Sequence, residues 1–225
     1  MAEYLLDVKT RKIVAQLEKY FDSVYPDDIR LRGIDLGCGT GGYFIRLEQI
    51  DPSLEIDGLD YSKKQIAHAK EKGVKNTLIH ASMSEIVGVE EGTYDFAYAI
   101  NSIHHLPSKD DQIKTFDEIL RILKPGGLFF VHEINIKNPI IKFYVDYIFP
   151  RTRNIDDGSE IWLTESLVRD RNFAVEHIDY FTFVPDFTPS FLMGGMVAID
   201  KLLSQSPLSV FGAHAMFVLR KPASQ

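Results

Sequence analysis

The sequence is poor in the residues that stabilise small extracellular proteins and in those that bind nucleic acids. Its 225 residues include one cysteine, Cys38, which cannot form a disulfide within the chain. A lone thiol is typical of a reducing compartment, so we expect a cytoplasmic protein. Lysine and arginine number 25 against 32 aspartates and glutamates, which gives a net charge of −7. Because phosphate binding relies on clustered cations, this balance argues against nucleic acid as a partner.

Long apolar runs are also missing. The first residues carry acids and no extended apolar core, so we expect no signal peptide there. Residues 202–219 lack charged side chains, but several serines and Pro207 interrupt them. This pattern favours a buried helix end, a loop and a strand over a membrane span. The chain has neither a cysteine pair nor two histidines four residues apart, so the sequence predicts no metal site.

What the chain does contain is typical of a globular protein. Apolar residues make up 45% and charged residues 25% of the sequence, and the length predicts a single domain over 1–225. Within it, helical spacing of apolar residues from position 4 to 21 predicts an N-terminal helical cap over 1–29. A regular alternation of strands and helices then predicts a cofactor-binding core over 30–135.

A glycine-rich turn is the most informative stretch. An apolar strand pattern is followed by Gly37-x-Gly39-x-x-Gly42, and a helical pattern begins at once. Glycines let the backbone approach a ligand closely, and a helix start offers unpaired N–H groups. The spacing fits the dinucleotide fingerprint, with Asp60 as the acid at the end of the next strand. The turn therefore predicts an adenosine-type cofactor, either a nicotinamide dinucleotide or S-adenosylmethionine.

Asp35 favours the second of these cofactors. It lies two residues before the first glycine of the turn, where a carboxylate would repel a pyrophosphate and attract the cationic amino-acid group of S-adenosylmethionine. A nicotinamide-dependent oxidoreductase stays as the alternative, supported by the glycine spacing and Asp60.

Four motifs in order resemble those of the class I S-adenosylmethionine-dependent methyltransferases. They are Ile34-Asp35-Leu36-Gly37-Cys38-Gly39-Thr40-Gly41, Leu59-Asp60-Tyr61-Ser62, Tyr94-Asp95-Phe96-Ala97 with Asn101-Ser102-Ile103-His104-His105-Leu106, and Leu123-Lys124-Pro125-Gly126-Gly127-Leu128. The pattern is most similar to the small-molecule branch that includes quinone-ring methyltransferases. The resemblance implies S-adenosyl-L-methionine as cofactor and a small-molecule acceptor as partner.

The strand–helix alternation predicts an α/β fold with a doubly wound, mostly parallel sheet. The predicted strands are 31–35, 55–60, 77–80, 94–100, 128–133, 173–183 and 213–219. The resemblance implies that these seven strands form one sheet, with the last strand antiparallel between the fifth and the sixth. Ligands in such sheets lie beyond the carboxyl ends of the strands, where Asp35, Asp60, Asn101 and Glu133 fall.

The resemblance assigns cofactor-binding roles to residues at this edge. The predicted set is Asp35, Gly37, Gly39, Gly41, Asp60, Tyr61, Ser82, Met83 and Asn101. Asp60 would accept hydrogen bonds from the ribose hydroxyls, or else would only cap the helix that follows it. Asp35 and Asn101 would hold the amino-acid end of the cofactor. Ala81 stands where many relatives have an acid for the adenine, so Ser82 or backbone groups would make that contact.

Two adjacent histidines, His104 and His105, are the candidate catalytic residues. Methyl transfer from a sulfonium is an in-line displacement that depends on positioning and desolvation. A hydroxyl or acidic-carbon acceptor must also lose a proton, for which histidine is suited near neutral pH. Alternatively the two histidines line the cofactor side and bond the backbone. His132 and Glu133, at the end of the fifth strand, could equally face the acceptor.

Two segments interrupt the regular fold, at 137–163 and 187–204, and both are rich in aromatic and aliphatic residues. We interpret them as acceptor-side insertions that form an apolar lid over a small apolar or aromatic acceptor. Core packing and a homodimer interface are the alternatives, and Phe143, Tyr147 and Phe149 beside basic residues also suit weak membrane-surface contact. A non-catalytic cofactor-binding module is the remaining alternative to an enzyme, and oxygen, carbon and nitrogen all stay open as the methylated atom.

Overall fold

A computed structural model describes residues 2–21, 30–148, 160–183, 191 and 193–223. Its seven strands form one sheet in the order β3-β2-β1-β4-β5-β7-β6. They are β1 (Arg32–Leu36), β2 (Glu55–Asp60), β3 (Leu78–His80), β4 (Tyr94–Ile100), β5 (Leu123–Ile134), β6 (Ala174–Phe181) and β7 (His214–Arg220). The helices are α1 (Ala2–Phe21), α2 (Gly42–Ile50), α3 (Lys63–Glu71), α4 (Lys109–Ile122), α5 (Pro139–Phe143), α6 (Glu165–Arg169) and α7 (Met193–Ser204).

The predicted sheet is confirmed. Strands β1 to β5 pair in parallel, and β7 runs antiparallel between β5 and β6. The strand order turns back at β1, so the carboxyl ends of β1 and β4 flank the point at which a doubly wound sheet opens a ligand crevice. The glycine turn follows β1 and the two histidines follow β4, so the topology brings both predicted motifs to this crevice.

The sheet is buried on both faces, as a parallel sheet requires. We call the side covered by α1, α2 and α3 the α1 face; its core includes Ile13, Phe44, Phe96, Phe130 and Val218. We call the opposite side the α4 face; its core includes Ala97, Phe116, Phe129, Val131 and Phe217. Successive strand residues alternate between the two faces. Within a strand, the odd or even number of a residue (its parity) therefore fixes the face onto which its side chain projects.

The glycines that were predicted to form a turn before the fifth strand lie within β5, where they form a loop between two paired positions. Tyr94 pairs with Leu123 and Phe96 with Leu128, so residues 124–127 are looped out between two paired positions. A Cβ at Gly127 would lie 2.9 Å from the carbonyl oxygens of Asp95 and Lys124. The close backbone approach requires glycine there, and the strand begins at 123 instead of the predicted 128.

The N-terminal helix packs on the sheet as expected. Its residues Ile13, Val14 and Leu17 are buried in the α1-face core, and Tyr4 Oη donates to Asp200 Oδ2 on α7 at 2.7 Å. Ion pairs of Asp7 with Arg46 and of Lys12 with Asp179 fasten the same helix to α2 and β6. Of the predicted cap over 1–29, residues 22–29 lie outside the described ranges.

The first insertion forms α5 and a π-helical turn over Tyr144–Ile148. Phe143 is 57% exposed, and Ile140 and Tyr147 are likewise exposed. Residues 137–148 therefore present these three large apolar side chains outward, whereas Val145 and Leu163 of the same insertion are buried. Phe149 and the following residues to 159 lie outside the described ranges, as do 187–190 and 192 of the second insertion. Within the described ranges, no helix combines the length and apolarity needed to cross a membrane.

Candidate active site

The glycine turn wraps around the end of β2. The N–H groups of Gly37 and Cys38 both donate to Leu59 O, at 2.7 and 2.9 Å. Gly37 has φ +79°, and a Cβ there would lie 2.6 Å from Ser102 Cβ. Gly39 has φ +55° but faces open space where its Cβ would be. Glycine is thus needed at position 37 for packing, whereas the space beside Gly39 is available to a ligand.

Asp60 ties this turn to the start of the next helix. Its Oδ2 accepts from the Gly39 N–H at 2.8 Å, and its Oδ1 accepts from the Ser62 N–H at 2.7 Å. Ser62 Oγ in turn caps α3 by accepting from Gln65 N. Asp60 thus holds the capping residue Ser62, but it does not itself cap the helix, which was the predicted alternative to ribose binding. Each carboxylate oxygen accepts one bond here and can accept another.

Asp35 is a buried carboxyl group without a full set of partners. Its side chain is on the α1 face and the residue is 2% exposed, and among the described residues its Oδ2 has no hydrogen-bond partner. Burial raises the pKa of Asp35 to about 8; the nearby Tyr98 hydroxyl opposes this shift, and the charge of Asp60 adds to it. Tyr98 Oη also lacks a hydrogen-bond partner of good geometry within the described structure, although it is close enough to Asp35 for hydrogen bonding to lower the pKa of the carboxyl group. A ligand cation would stabilise this carboxylate.

Three further predicted cofactor residues follow β2 and β3. Tyr61 is 79% exposed, and its ring stacks on that of His80 with the centroids 6.4 Å apart. Met83 is buried, and its Cε would lie 3.5 Å from a Cβ at Gly37. Ser82 Oγ is hydrogen-bonded to Ser84 Oγ at 2.8 Å. The structure thus brings Met83 to the turn, while Ser82 is engaged with its own loop.

Asn101 lies where β4 ends. It has φ +51°, a left-handed conformation that asparagine tolerates better than most residues. Its N–H donates to His132 O at 2.9 Å, and its buried Oδ1 has no partner in the described part of the chain. The next residue, Ser102, donates its Oγ–H to Leu36 O at 2.8 Å. This bond ties the carboxyl end of β4 to that of β1.

His104 forms a buried pair with Glu133. Its Nδ1 is 2.5 Å from Glu133 Oε2, and Glu133 Oε1 accepts from the Ile103 N–H at 3.0 Å. Since a carboxylate only accepts, the His104 proton is placed on Nδ1, and Nε2 is the basic nitrogen. The Trp162 ring packs against that of His104 with 5.0 Å between centroids. The imidazole is therefore fixed on the α4 face in a defined orientation.

The two other candidate histidines, His105 and His132, are placed differently from this pair. His105 is exposed, and its ring lies 4.1 Å from that of His104. His132 projects onto the α1 face, where it is 1% exposed and packs against His214 and Phe181. Of the two residues predicted to face the acceptor, Glu133 therefore meets His104, and His132 lies on the opposite side of the sheet.

Cys38 is a buried residue of the turn, and burial raises the pKa of its thiol well above the usual range. A neutral thiol is a poor nucleophile, which agrees with a packing role. In the described ranges, no three histidine, cysteine or acidic side chains are grouped so that they could hold a metal ion.

Comparison with known proteins identifies this arrangement. A family model described as a methyltransferase domain matches residues 34–131, from β1 to β5. Over this segment the chain is similar to the methyltransferases. The matched segment holds the glycine turn, Asp60 and the His104 loop, so the family match and the geometry refer to the same site.

Individual relatives agree with this family. The chain is 29% identical over 169 residues to the protein YqeM of Bacillus subtilis, covering 72% of this chain and 63% of that one. It is 26% identical over 144 residues to a demethylmenaquinone methyltransferase of Leptospira interrogans, covering 61% and 54%. The chain thus spans less than two thirds of the length of either relative. The crystal structure of PH0226 protein from Pyrococcus horikoshii superposes with a TM-score of 0.63 at 20% identity, covering 98% and 92%, which shows the shared fold.

The residues of this site fit the methyl donor that the similarity to methyltransferases implies. The unpartnered Asp35 Oδ2 suits an ammonium group, and the open space beside Gly39 suits a ligand lying against the turn. The exposed Tyr61 ring beside Asp60 offers an aromatic face for the adenine. The nicotinamide alternative has no support from the family match.

Three residues of the site were not singled out from the sequence. Tyr98 lies beside Asp35, Ser102 packs against Gly37, and Trp162 packs against His104. Strand parity could have placed Tyr98 on the α1 face, although only the register of β1 with β4 sets it opposite Asp35. No local signal could have found Trp162, because its contact with His104 joins two distant segments.

Proposed function

We propose that this protein transfers a methyl group from S-adenosylmethionine to a small, apolar or aromatic acceptor. The observation that carries the proposal is the buried Asp35 carboxyl group, whose unpartnered oxygen lies before a glycine turn with open space at Gly39. A cationic amino-acid group satisfies both features, since it neutralises the carboxylate and is bound next to the turn.

The chain's own residues would hold the donor as follows. Asp60 accepts from the ribose hydroxyls with the lone pairs that Gly39 and Ser62 leave unused. Tyr61 lies along the adenine, while Asp35 and Asn101 bind the amino-acid end. When bound, S-adenosylmethionine supplies an electrophilic methyl group. The protein orients the acceptor in line with that group and keeps water away from it.

His104 is the proposed general base for a hydroxyl or acidic-carbon acceptor. Glu133 fixes its orientation and stabilises the imidazolium that forms when Nε2 takes the acceptor's proton. The 2.5 Å contact, with both groups buried, provides the preorganisation that this role needs. The bland alternative is that the pair only anchors the loop after β4, and turnover measurements separate the two roles.

The insertions support an apolar acceptor. A small, partly open pocket lies beside Glu133 and is lined partly by Lys137 and Leu163 of the first insertion. The outward-facing Ile140, Phe143 and Tyr147 suit a lid that closes on a hydrophobic molecule. The demethylmenaquinone methyltransferase of Leptospira interrogans is named for an apolar, aromatic acceptor, which favours the same substrate class here. Contact with a second copy or a membrane surface would compete for the same side chains.

The proposal is tested by calorimetry followed by product analysis. S-adenosylhomocysteine should bind with a Kd on the order of micromolar, and NAD should not bind. Incubation with isotopically methyl-labelled S-adenosylmethionine and a metabolite extract should then give labelled products by mass spectrometry. Binding of NAD alone would sink the cofactor assignment. Binding of the sulfur cofactor with no labelled product in any extract would favour a non-catalytic module.

A further inference from the structure

Unpartnered buried polar atoms are concentrated at one edge of the sheet. Ten buried side-chain nitrogen and oxygen atoms of the described chain lack a hydrogen-bond partner. Six of them belong to five residues at the carboxyl edge: Asp35 Oδ2, Tyr98 Oη, Asn101 Oδ1, His132 Nδ1 and Nε2, and His214 Nδ1. Buried polar atoms are normally hydrogen-bonded, so a concentration of exceptions indicates a place where water or a ligand completes the structure.

Strand register explains why Asp35, Tyr98, His132 and His214 share one face, and Asn101 follows β4 at the same edge. Asp35 pairs with Tyr98 across β1 and β4, and Ile100 pairs with His132 across β4 and β5. Their strand neighbours of the same parity, such as Phe96 and Phe130, are in the α1-face core. His214 begins β7 next to this line. We call the five residues Asp35, Tyr98, Asn101, His132 and His214 the polar arc. One end of the arc is the proposed site for the cofactor ammonium.

The far end of the arc is built around two buried imidazoles. The His132 and His214 rings lie 4.8 Å apart, and Phe181 packs against both. Burial lowers the pKa of each imidazole well below its usual value, and the charge of Lys9 lowers both further. Lys9 is on α1 and is itself buried. This end therefore presents two neutral imidazoles, each with one donor and one acceptor nitrogen, close to a cation.

A strained residue borders the same end. Thr182 has φ +63° and is 1% exposed, and a β-branched residue adopts this left-handed conformation only when its surroundings impose it. Its carbonyl accepts from the Ala213 N–H, next to His214, at 2.6 Å. Such strain is more frequent at binding sites than elsewhere.

Donor nitrogens, a nearby cation and an aromatic wall define a ligand chemistry. Imidazole N–H groups and an ammonium favour an oxygen that is anionic or can become so, and Phe181 favours an apolar body attached to it. We propose that His132, His214 and Lys9 form an acceptor subsite that binds a phenol, enol or carboxyl oxygen of the acceptor. The subsite deepens the proposed methyl transfer and rests on it. Because the subsite lies on the α1 face, opposite to the His104–Glu133 pair, it fits an acceptor in which an acidic carbon, and not this oxygen, loses its proton to His104.

The test uses three matched probes of one size: p-toluate, p-cresol and toluene. The protein, labelled with 15N in its histidines and saturated with S-adenosylhomocysteine, is titrated with each probe and observed by NMR. We expect p-toluate and p-cresol to shift the His132 and His214 ring nitrogens and toluene to leave them unmoved. His132→Phe and His214→Phe should each weaken p-toluate binding at least tenfold, whereas His177→Phe, at an exposed histidine of β6, should not.

A second variant guards against loss of folding in the first two. Lys9→Met should weaken binding of the anionic p-toluate more than binding of p-cresol, because p-cresol is neutral at pH 7. The proposal is overturned if toluene binds as well as the oxygen probes, or if the His132 and His214 variants keep wild-type probe affinity. In that event the arc holds only water. Calorimetry with S-adenosylhomocysteine is run in parallel. Probe binding without cofactor binding would refute the proposed function, and cofactor binding without oxygen-selective probe binding would refute the subsite.

Discussion

Protonation of Asp35 should couple cofactor binding to pH. In the ligand-free protein the pKa of this carboxyl group is about 8, raised from 3.8 chiefly by burial. At pH 7 a group with this pKa is about nine-tenths protonated. If an ammonium group binds beside it, the carboxylate form is favoured and the pKa falls. Binding at pH 7 should therefore release about 0.9 proton, and affinity should rise by up to about tenfold per pH unit as pH approaches 8.

The same shift has a consequence for stability, and its sign is opposite to that of a typical aspartate. The unfolded chain ionises this group near pH 3.8, whereas the folded protein keeps it protonated up to about pH 8. The folded state therefore binds more protons between these values, and the ligand-free protein loses stability as pH rises from about 4 to about 8. A shift of about four pKa units sets an upper limit on the order of 5 kcal/mol, which water entering the site would reduce.

Calorimetry in two buffers measures the coupling directly. S-adenosylhomocysteine is titrated in phosphate and in imidazole buffer between pH 6 and 7, where most of the ligand's own amino group stays charged. The difference in apparent enthalpy gives the number of protons released. In Asp35→Asn the release should vanish, the cofactor should bind more weakly, and the loss of stability between pH 4 and 8 should be smaller. A wild-type protein that releases no proton, with an affinity independent of pH, would show that Asp35 does not meet the ammonium.

Three further predictions concern the same site. Asp60→Ala should weaken S-adenosylhomocysteine binding about 10- to 100-fold, because it removes about 1.5–3 kcal/mol of charge-assisted hydrogen bonding. An unchanged Kd in a folded variant would show that Asp60 is only a structural link. Gly37→Ala should lower thermal stability through its clash with Ser102. Gly39→Ala has open space and is strained only by its positive φ, so it should lose less stability and should also lose cofactor affinity. His104→Ala should reduce turnover on a hydroxyl acceptor by about 100-fold or more without altering cofactor affinity, and an effect of only a few-fold at every pH would exclude a general base there.

The fold could be predicted because its signals are local. Strand two and strand four have the predicted bounds, since each is a short apolar run closed by turn residues. The insertion of β7 between β5 and β6 came from the family resemblance, because hydrophobic pattern alone does not fix strand order. The start of β5 was wrong by five residues: the glycines read as a turn, yet Leu123 already pairs with Tyr94.

The site was predictable only in part, because its contacts depend on register between strands. The turn, Asp35 and Asp60 could be found from spacing along the chain. By contrast, the pairing of His104 with Glu133 depends on how the loop after β4 folds over β5. The polar arc could not be predicted from the sequence either, because His132 and His214 are far apart in sequence and meet only through β5–β7 pairing.

Successive side chains of β5 project onto opposite faces of the sheet. The two parts of the site on these faces differ in how many of their polar atoms are hydrogen-bonded. Glu133 projects onto the α4 face, where both of its oxygens are bonded to the His104 segment. His132, one residue earlier, projects onto the α1 face, where both of its ring nitrogens lack partners in the described structure. A paired group is already oriented, as proton transfer requires. An unpaired group still has hydrogen bonds to give a ligand. The ligand-free protein thus keeps its proposed base fixed on one face and its proposed binding groups unsatisfied on the other, and strand parity alone separates them.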